Sequence, residues 1–130
     1  MNAMRNPQAP HLDFGFMSGW IPNNPKAMPS NLDMVIERRG NLLVAEWKRE
    51  NEKVSRGQQI LLSNTASKDG ILVLVVNGHT DGGNPVVGKI YRVWPEKPHC
   101  RPLAHGVDGL KSVVLRWYQF SNSGTSLKMF

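Results

Sequence analysis

The sequence predicts an α/β fold in a single domain, with a central mixed β-sheet flanked by two α-helices. Three observations predict it. Two strand-like runs, Asp33-Met34-Val35-Ile36-Glu37 and Leu42-Leu43-Val44-Ala45-Glu46-Trp47-Lys48, surround the tight-turn sequence Arg38-Arg39-Gly40-Asn41. Ile71-Leu72-Val73-Leu74-Val75-Val76 is an unbroken apolar run, too short for a helix and apolar on both faces, as a buried central strand requires. Leu110, Val113, Val114 and Trp117 recur at i, i+3, i+4 and i+7, the spacing of one helix face.

In chain order, residues 1–30 carry Pro7, Pro10, Pro22, Pro25 and Pro29, which bar a long helix or strand. This arm is expected to be irregular and to pack Phe14, Phe16, Met17, Trp20 and Ile21 onto the core. The domain proper is expected over residues 31–120, beginning with the hairpin. A turn centred near Arg39-Gly40 places Asp33 opposite or next to Glu46, because antiparallel partners keep a constant sum of residue numbers. Ser55 is a candidate N-cap for a helix running to about Lys68, which Gly70 ends. Asn77 to Pro85 reads as a loop by composition, Val86 to Trp94 as another strand, and Pro95 to Pro102 as a proline-rich connection. An amphipathic helix over Asp108 to Gln119 closes the domain, and residues 121–130 form a polar tail.

Composition narrows the function classes. At 130 residues and 14.6 kDa the chain suits one domain. No window approaches the roughly 18 apolar residues of a membrane helix. The N-terminus has no apolar secretory core, so a cytoplasmic location is expected, without membrane partners. A single cysteine, Cys100, excludes an internal disulfide and a zinc ribbon. Sixteen Lys and Arg against ten Asp and Glu give +6, which favours a polyanionic partner. The acids gather around Asp33, Glu37, Glu46, Glu50 and Glu52, whereas the chain after Val86 is mostly basic. A basic half beside a carboxylate-bearing half suits a protein that holds phosphates and also binds a metal.

Chemistry concentrates in Asp33, Glu46-Trp47-Lys48 and Ser55-Arg56-Gly57-Gln58. Strand alternation puts Glu46 and Lys48 on one face, and the hairpin can bring Asp33 beside Glu46 on that face. Two carboxylates are the protein share of a Mg²⁺ site, with water and substrate phosphate filling the other positions; Mn²⁺ can substitute. Such an ion activates water for attack on phosphorus, and the Lys48 ammonium is placed to stabilise charge growing on the phosphate oxygens. Gln58 can hydrogen-bond the water or orient Lys48. Ser55 caps a helix whose N-terminal amides favour an anion. No small-molecule organic cofactor is expected.

These residues resemble the PD-(D/E)XK nuclease superfamily, and within it the VRR-NUC branch of virus-type replication-repair nucleases, over about Pro29 to Val76. The features that carry the resemblance are Asp33 after Pro29, the hairpin spacing to Glu46-Trp47-Lys48, the interval to Ser55 and Gln58, and the apolar strand that follows. The resemblance implies a restriction-endonuclease-like sheet and a metal held by Asp33, Glu46 and the backbone carbonyl of Trp47. It also implies a catalytic Lys48 and a supporting Gln58. The superfamily's Pro-Asp pair is here loosened to Pro29-Ser30-Asn31-Leu32-Asp33, and Asp13 is the only acid upstream of it. Free-standing VRR-NUC proteins resemble Holliday junction resolvases, which implies branched DNA as substrate and a homodimer as the working form.

Other residues are weighed against plainer roles. Arg38, Arg39, Lys53, Ser55, Arg56 and Arg92 are candidates for contacting a DNA backbone, although each alone equally suits a solvated surface. Glu46 with Lys48 could be no more than a surface ion pair. His79 and Asp81 read as parts of a flexible turn, and His99-Cys100 lacks company for a metal site. Gly88-Lys89 lacks the spacing of a phosphate loop. Two function classes therefore remain: a Mg²⁺-dependent DNA endonuclease, and a non-catalytic DNA-binding or interaction module on the same scaffold. RNA as substrate stays open.

Overall fold

A two-residue turn sets the geometry of the first hairpin. Arg39 and Gly40 have φ of 53° and 86°, and positive φ at both central residues gives the twist that lets right-handed strands pair through so short a loop. The turn joins β1 (Met34–Arg38) to β2 (Asn41–Lys48), and their partners run from Arg38↔Asn41 to Met34↔Ala45. The computed structural model describes residues 14–26, 29, 32–124, 126 and 130. Asp13, Ser30 and Asn31 lie outside them, as does most of the chain after Gly124.

Residues 32–130 form an α/β unit with a five-stranded mixed sheet in the order β1-β2-β3-β4-β5. After β2 the chain enters α1 (Arg56–Ala66) and returns as β3 (Ile71–Asp81), parallel to β2. β4 (Asn84–Val93) and β5 (Cys100–His105) follow as antiparallel neighbours, and α2 (Gly106–Ser123) closes the unit.

Both faces of the sheet are covered, which explains why the β3 run is apolar throughout. Val44, Val73, Val75 and Val93 pack with Leu62 of α1 on one face. Leu43, Ala45, Leu72, Leu74, Val76 and Ile90 pack with Val113 and Trp117 of α2 on the other. Successive residues of β2 and β3 thus feed opposite clusters.

Four boundaries differ from expectation. Helix α1 stops at Ala66, with Ser67 as its C-cap, although Gly70 does take the left-handed conformation (φ 80°). The segment read as a loop is a second hairpin: β3 continues to Asp81 and only Gly82 and Gly83, both of positive φ, make the turn. Gly78 is a strand residue because a Cβ there would lie 2.5 Å from the Trp47 ring and would collide with the Val86 carbonyl oxygen. β5 was missed because Pro102 argues against a strand; it sits at the sheet edge, beside a register shift, where its missing N–H costs no ladder bond.

The closing helix is also longer than its apolar stripe, starting at Gly106 and ending at Ser123 before Gly124 (φ 75°). Ser121 to Ser123 are therefore its last turn rather than tail. The reason is tertiary: Ser121 is buried and accepts a hydrogen bond from Asn41, and Asn122 receives Arg38 and Arg39.

Residues 1–31 form a separate unit, in which the only helical turn among the described residues spans Phe14–Met17. Phe16 and Trp20 meet edge to face at 5.4 Å, and both are largely exposed, as is Ile21. No helix among the described residues is long and apolar enough to cross a membrane.

Candidate active site

The site forms at the carboxyl end of β2, where a parallel strand hands the chain to a helix and ligand sites commonly lie in open α/β sheets. Glu46 and Lys48 are two residues apart and point to the α1 side, with Trp47 facing the other way. Both are buried, at 9% and 7% exposure. A buried carboxylate and ammonium so close to a sheet end need partners, and neighbouring segments provide them.

Asp33 supplies the first. It lies one residue before β1, and the hairpin register carried one step further sets it opposite Glu46. Its Oδ2 accepts a hydrogen bond from the backbone N–H of Trp47 at 2.8 Å, which holds the carboxyl group against the strand that bears Glu46. Burial pushes the Glu46 carboxyl above its ordinary pKa; the charge of Asp33 and a hydrogen bond with it push the same way, and Lys48 opposes them. Two carboxyl groups in contact make full ionisation of both unfavourable without a cation between them.

Gln58 comes from the third segment. Ser55 Oγ accepts from the Gln58 backbone N–H at 3.2 Å, and Gln58 Oε1 accepts from the Ser55 N–H at 3.4 Å, a reciprocal cap at the start of α1. With its oxygen committed to the cap, Gln58 turns its amide nitrogen toward the sheet and donates to Glu46 Oε1 at 3.4 Å. The Ser55-to-Gln58 spacing therefore has a helix-capping reason of its own, besides its contribution to the site.

Glu52 was not singled out by sequence. It lies in the turn after β2, where its Oε1 accepts from the Arg49 N–H at 3.1 Å, and its Oε2 is 3.9 Å from Lys48 Nζ. The available signal was its position four residues after Lys48 within a turn-forming stretch. An open groove of about 1010 Å³ adjoins this turn, lined by Trp47, Arg49, Glu50, Asn51, Glu52, His79 and Thr80. His79 stands on β3, not in a loop, with Nδ1 3.7 Å from Glu50 Oε1.

The basic candidates divide. Lys53, Ser55 and Arg56 are exposed around the start of α1, next to Gln58. Arg38 and Arg39 are at the far end of the hairpin, roughly 20 Å of strand away at about 3.3 Å per residue. There they bind Asn122 of α2, and Arg38 also lies 5.1 Å from the centroid of the Tyr118 ring. Arg92 pairs with Leu74, whose side chain belongs to the α2-side cluster, so it is on the sheet face opposite Glu46.

As a donor set, Asp33, Glu46 and the Trp47 carbonyl fit a hard divalent cation that keeps several water positions. No group of three or more His, Cys, Asp or Glu able to hold a metal occurs among the described residues. Comparison with family models, curated proteins and solved structures finds no match to this chain.

Proposed function

We propose that the chain is a Mg²⁺-dependent endonuclease that hydrolyses DNA phosphodiester bonds from a restriction-endonuclease-like sheet. The observation that carries this reading is the contact of the Asp33 and Glu46 carboxyl groups on one sheet face, with Lys48 beside them. A structural ion pair would need one acid for one base. Here two acids crowd together and raise the pKa of one, an arrangement that costs stability and that a divalent cation would reverse.

When bound, the cation would neutralise charge on the substrate phosphate and lower the pKa of water. The chain's own residues do the rest. Asp33 and Glu46, with the Trp47 carbonyl, fix where the ion sits. Lys48 offers a buried ammonium to the oxygens that gain charge as water bonds to phosphorus and the bond to the leaving oxygen breaks. Gln58 holds Glu46 in position. Lys53, Arg56 and the N-terminus of α1 line the approach with positive potential. A domain of this size has little surface for reading a long sequence, which favours branched DNA over a sequence-specific target and a homodimer as the acting form.

The test is incubation of the full chain with branched, single-stranded and duplex DNA, in Mg²⁺ or in EDTA. Cutting that disappears in EDTA and in Lys48→Ala supports the enzyme. Binding without cutting in any divalent cation supports the non-catalytic module instead.

A further inference from the structure

A second cluster of charge lies on the α2 side of the sheet. Arg92 and Arg101 are direct cross-strand partners in β4 and β5. Like charges placed opposite each other weaken an antiparallel pair, so this position calls for compensation. Part of it comes from rings: the Arg92 and Arg101 guanidinium carbons lie 4.0 and 4.6 Å from the Trp94 centroid. Arg92 is also 5.8 Å from the Phe130 ring, and Arg116 of α2 reaches the same ring at 4.9 Å. Guanidinium groups and rings thus alternate from Arg101 through Trp94, Arg92 and Phe130 to Arg116.

Rings orient these cations without neutralising them. The hydrogen bonds of Arg101 go to the backbone carbonyls of Pro98 and Glu96, which are uncharged acceptors. Burial, and then the charge of Arg101, lower the pKa of Arg92, in keeping with crowded positive charge. The adjoining hollow of about 390 Å³ carries Asp69 and Glu96 among its lining residues, so an anion is best received toward α2, where Arg116 joins the row.

We propose that Arg92, Arg101 and Arg116 form a second nucleic-acid surface, which grips the phosphate backbone on the sheet face opposite Asp33 and Glu46. Phosphate is favoured over bases because guanidinium groups already cover the Trp94 and Phe130 rings, whereas the guanidinium fork matches phosphate geometry. The surface lets one chain hold a DNA segment that is not the one being cut. It shares with the proposed function the premise of a nucleic-acid partner, but it does not require cleavage.

The experiment measures binding of the full chain to a fluorescent single-stranded oligonucleotide and to a duplex of equal length, in EDTA over a salt series. Arg101→Gln with Arg116→Gln should weaken binding at least about fivefold and flatten the log–log salt slope by about 0.9 per lost duplex contact. Arg101→Lys with Arg116→Lys should keep the slope. Arg116→Gln alone, at an exposed helix position, serves as the second variant and should give about half the change. Unaltered affinity and slope in folded glutamine variants would overturn the proposal. A chain that never cuts DNA yet shows the slope change retains this surface and loses the nuclease reading; one that cuts without the slope change does the reverse.

Discussion

Asp33 Oδ2 accepts the Trp47 backbone N–H at 2.8 Å, so the first acid of the site is anchored to the strand that presents the second. Trp47 lies beyond the last β1–β2 partners, Met34↔Ala45, and the side chain of Asp33 serves its N–H where β1 has not yet begun. Asp33→Asn keeps an oxygen for that bond and should hold stability within about 0.5 kcal/mol. Asp33→Ala leaves the N–H without it and should cost about 1 kcal/mol. Both should lose Mg²⁺-dependent cleavage. Thermal unfolding followed by circular dichroism, with a cleavage assay, separates the two effects.

Glu46 makes stability depend on pH with a definite sign. Its carboxyl group has an ordinary pKa of 4.5 when unfolded and a raised one when folded, through burial first and Asp33 second. The folded chain then binds more protons above that ordinary value. Its contribution is fully present below pH 4.5 and is lost as pH rises through the raised folded pKa. In EDTA, Glu46→Gln should remove this decline and be more stable than the unaltered chain near neutral pH, by on the order of 0.5–2 kcal/mol. Unfolding at a series of pH values checks it. The same variant should be inactive.

The cap of α1 serves both the fold and the site. Ser55→Ala removes the acceptor of the Gln58 N–H and should cost about 1 kcal/mol. Gln58→Ala should lower turnover more than DNA binding, because the lost contact is with Glu46 rather than with a phosphate. Equal loss of both would indicate a damaged fold, which the unfolding midpoint reports.

Gly78 links the second hairpin to the site through Trp47. A Cβ placed 2.5 Å from the indole forces the strand or the ring to move. Gly78→Ala should therefore destabilise by about 1–3 kcal/mol. It should also weaken cleavage by disturbing the strand that carries Glu46 and Lys48. Chemical denaturation of the variant tests the first effect.

The local sequence exposed what depends on local rules. Arg39-Gly40 between alternating runs announces the hairpin and its register, and that register alone brings Asp33 opposite Glu46. Ser55 and Gln58 announce the helix start. The misread segments owe their structure to distant partners. Asn77 and Gly78 look like loop residues until the Trp47 ring fills the space beside them. Pro102 looks like a strand breaker until β5 proves to be an edge. Asn122 looks like tail until Arg38 and Arg39 are found on it. Arg92 looked like a neighbour of the site, but strand parity sends it to the other face. Glu52 gains meaning only once the turn after β2 folds back toward Lys48.

The central claim is that Asp33 and Glu46 together hold one divalent cation. Titration of the DNA-free chain with Mn²⁺, with the free ion read by electron paramagnetic resonance, addresses it without relying on activity. About one ion per chain should bind, and Asp33→Asn and Glu46→Gln should each weaken that binding at least about tenfold, on the order of 1.4 kcal/mol. No saturable binding, or binding that neither substitution changes, would contradict the account.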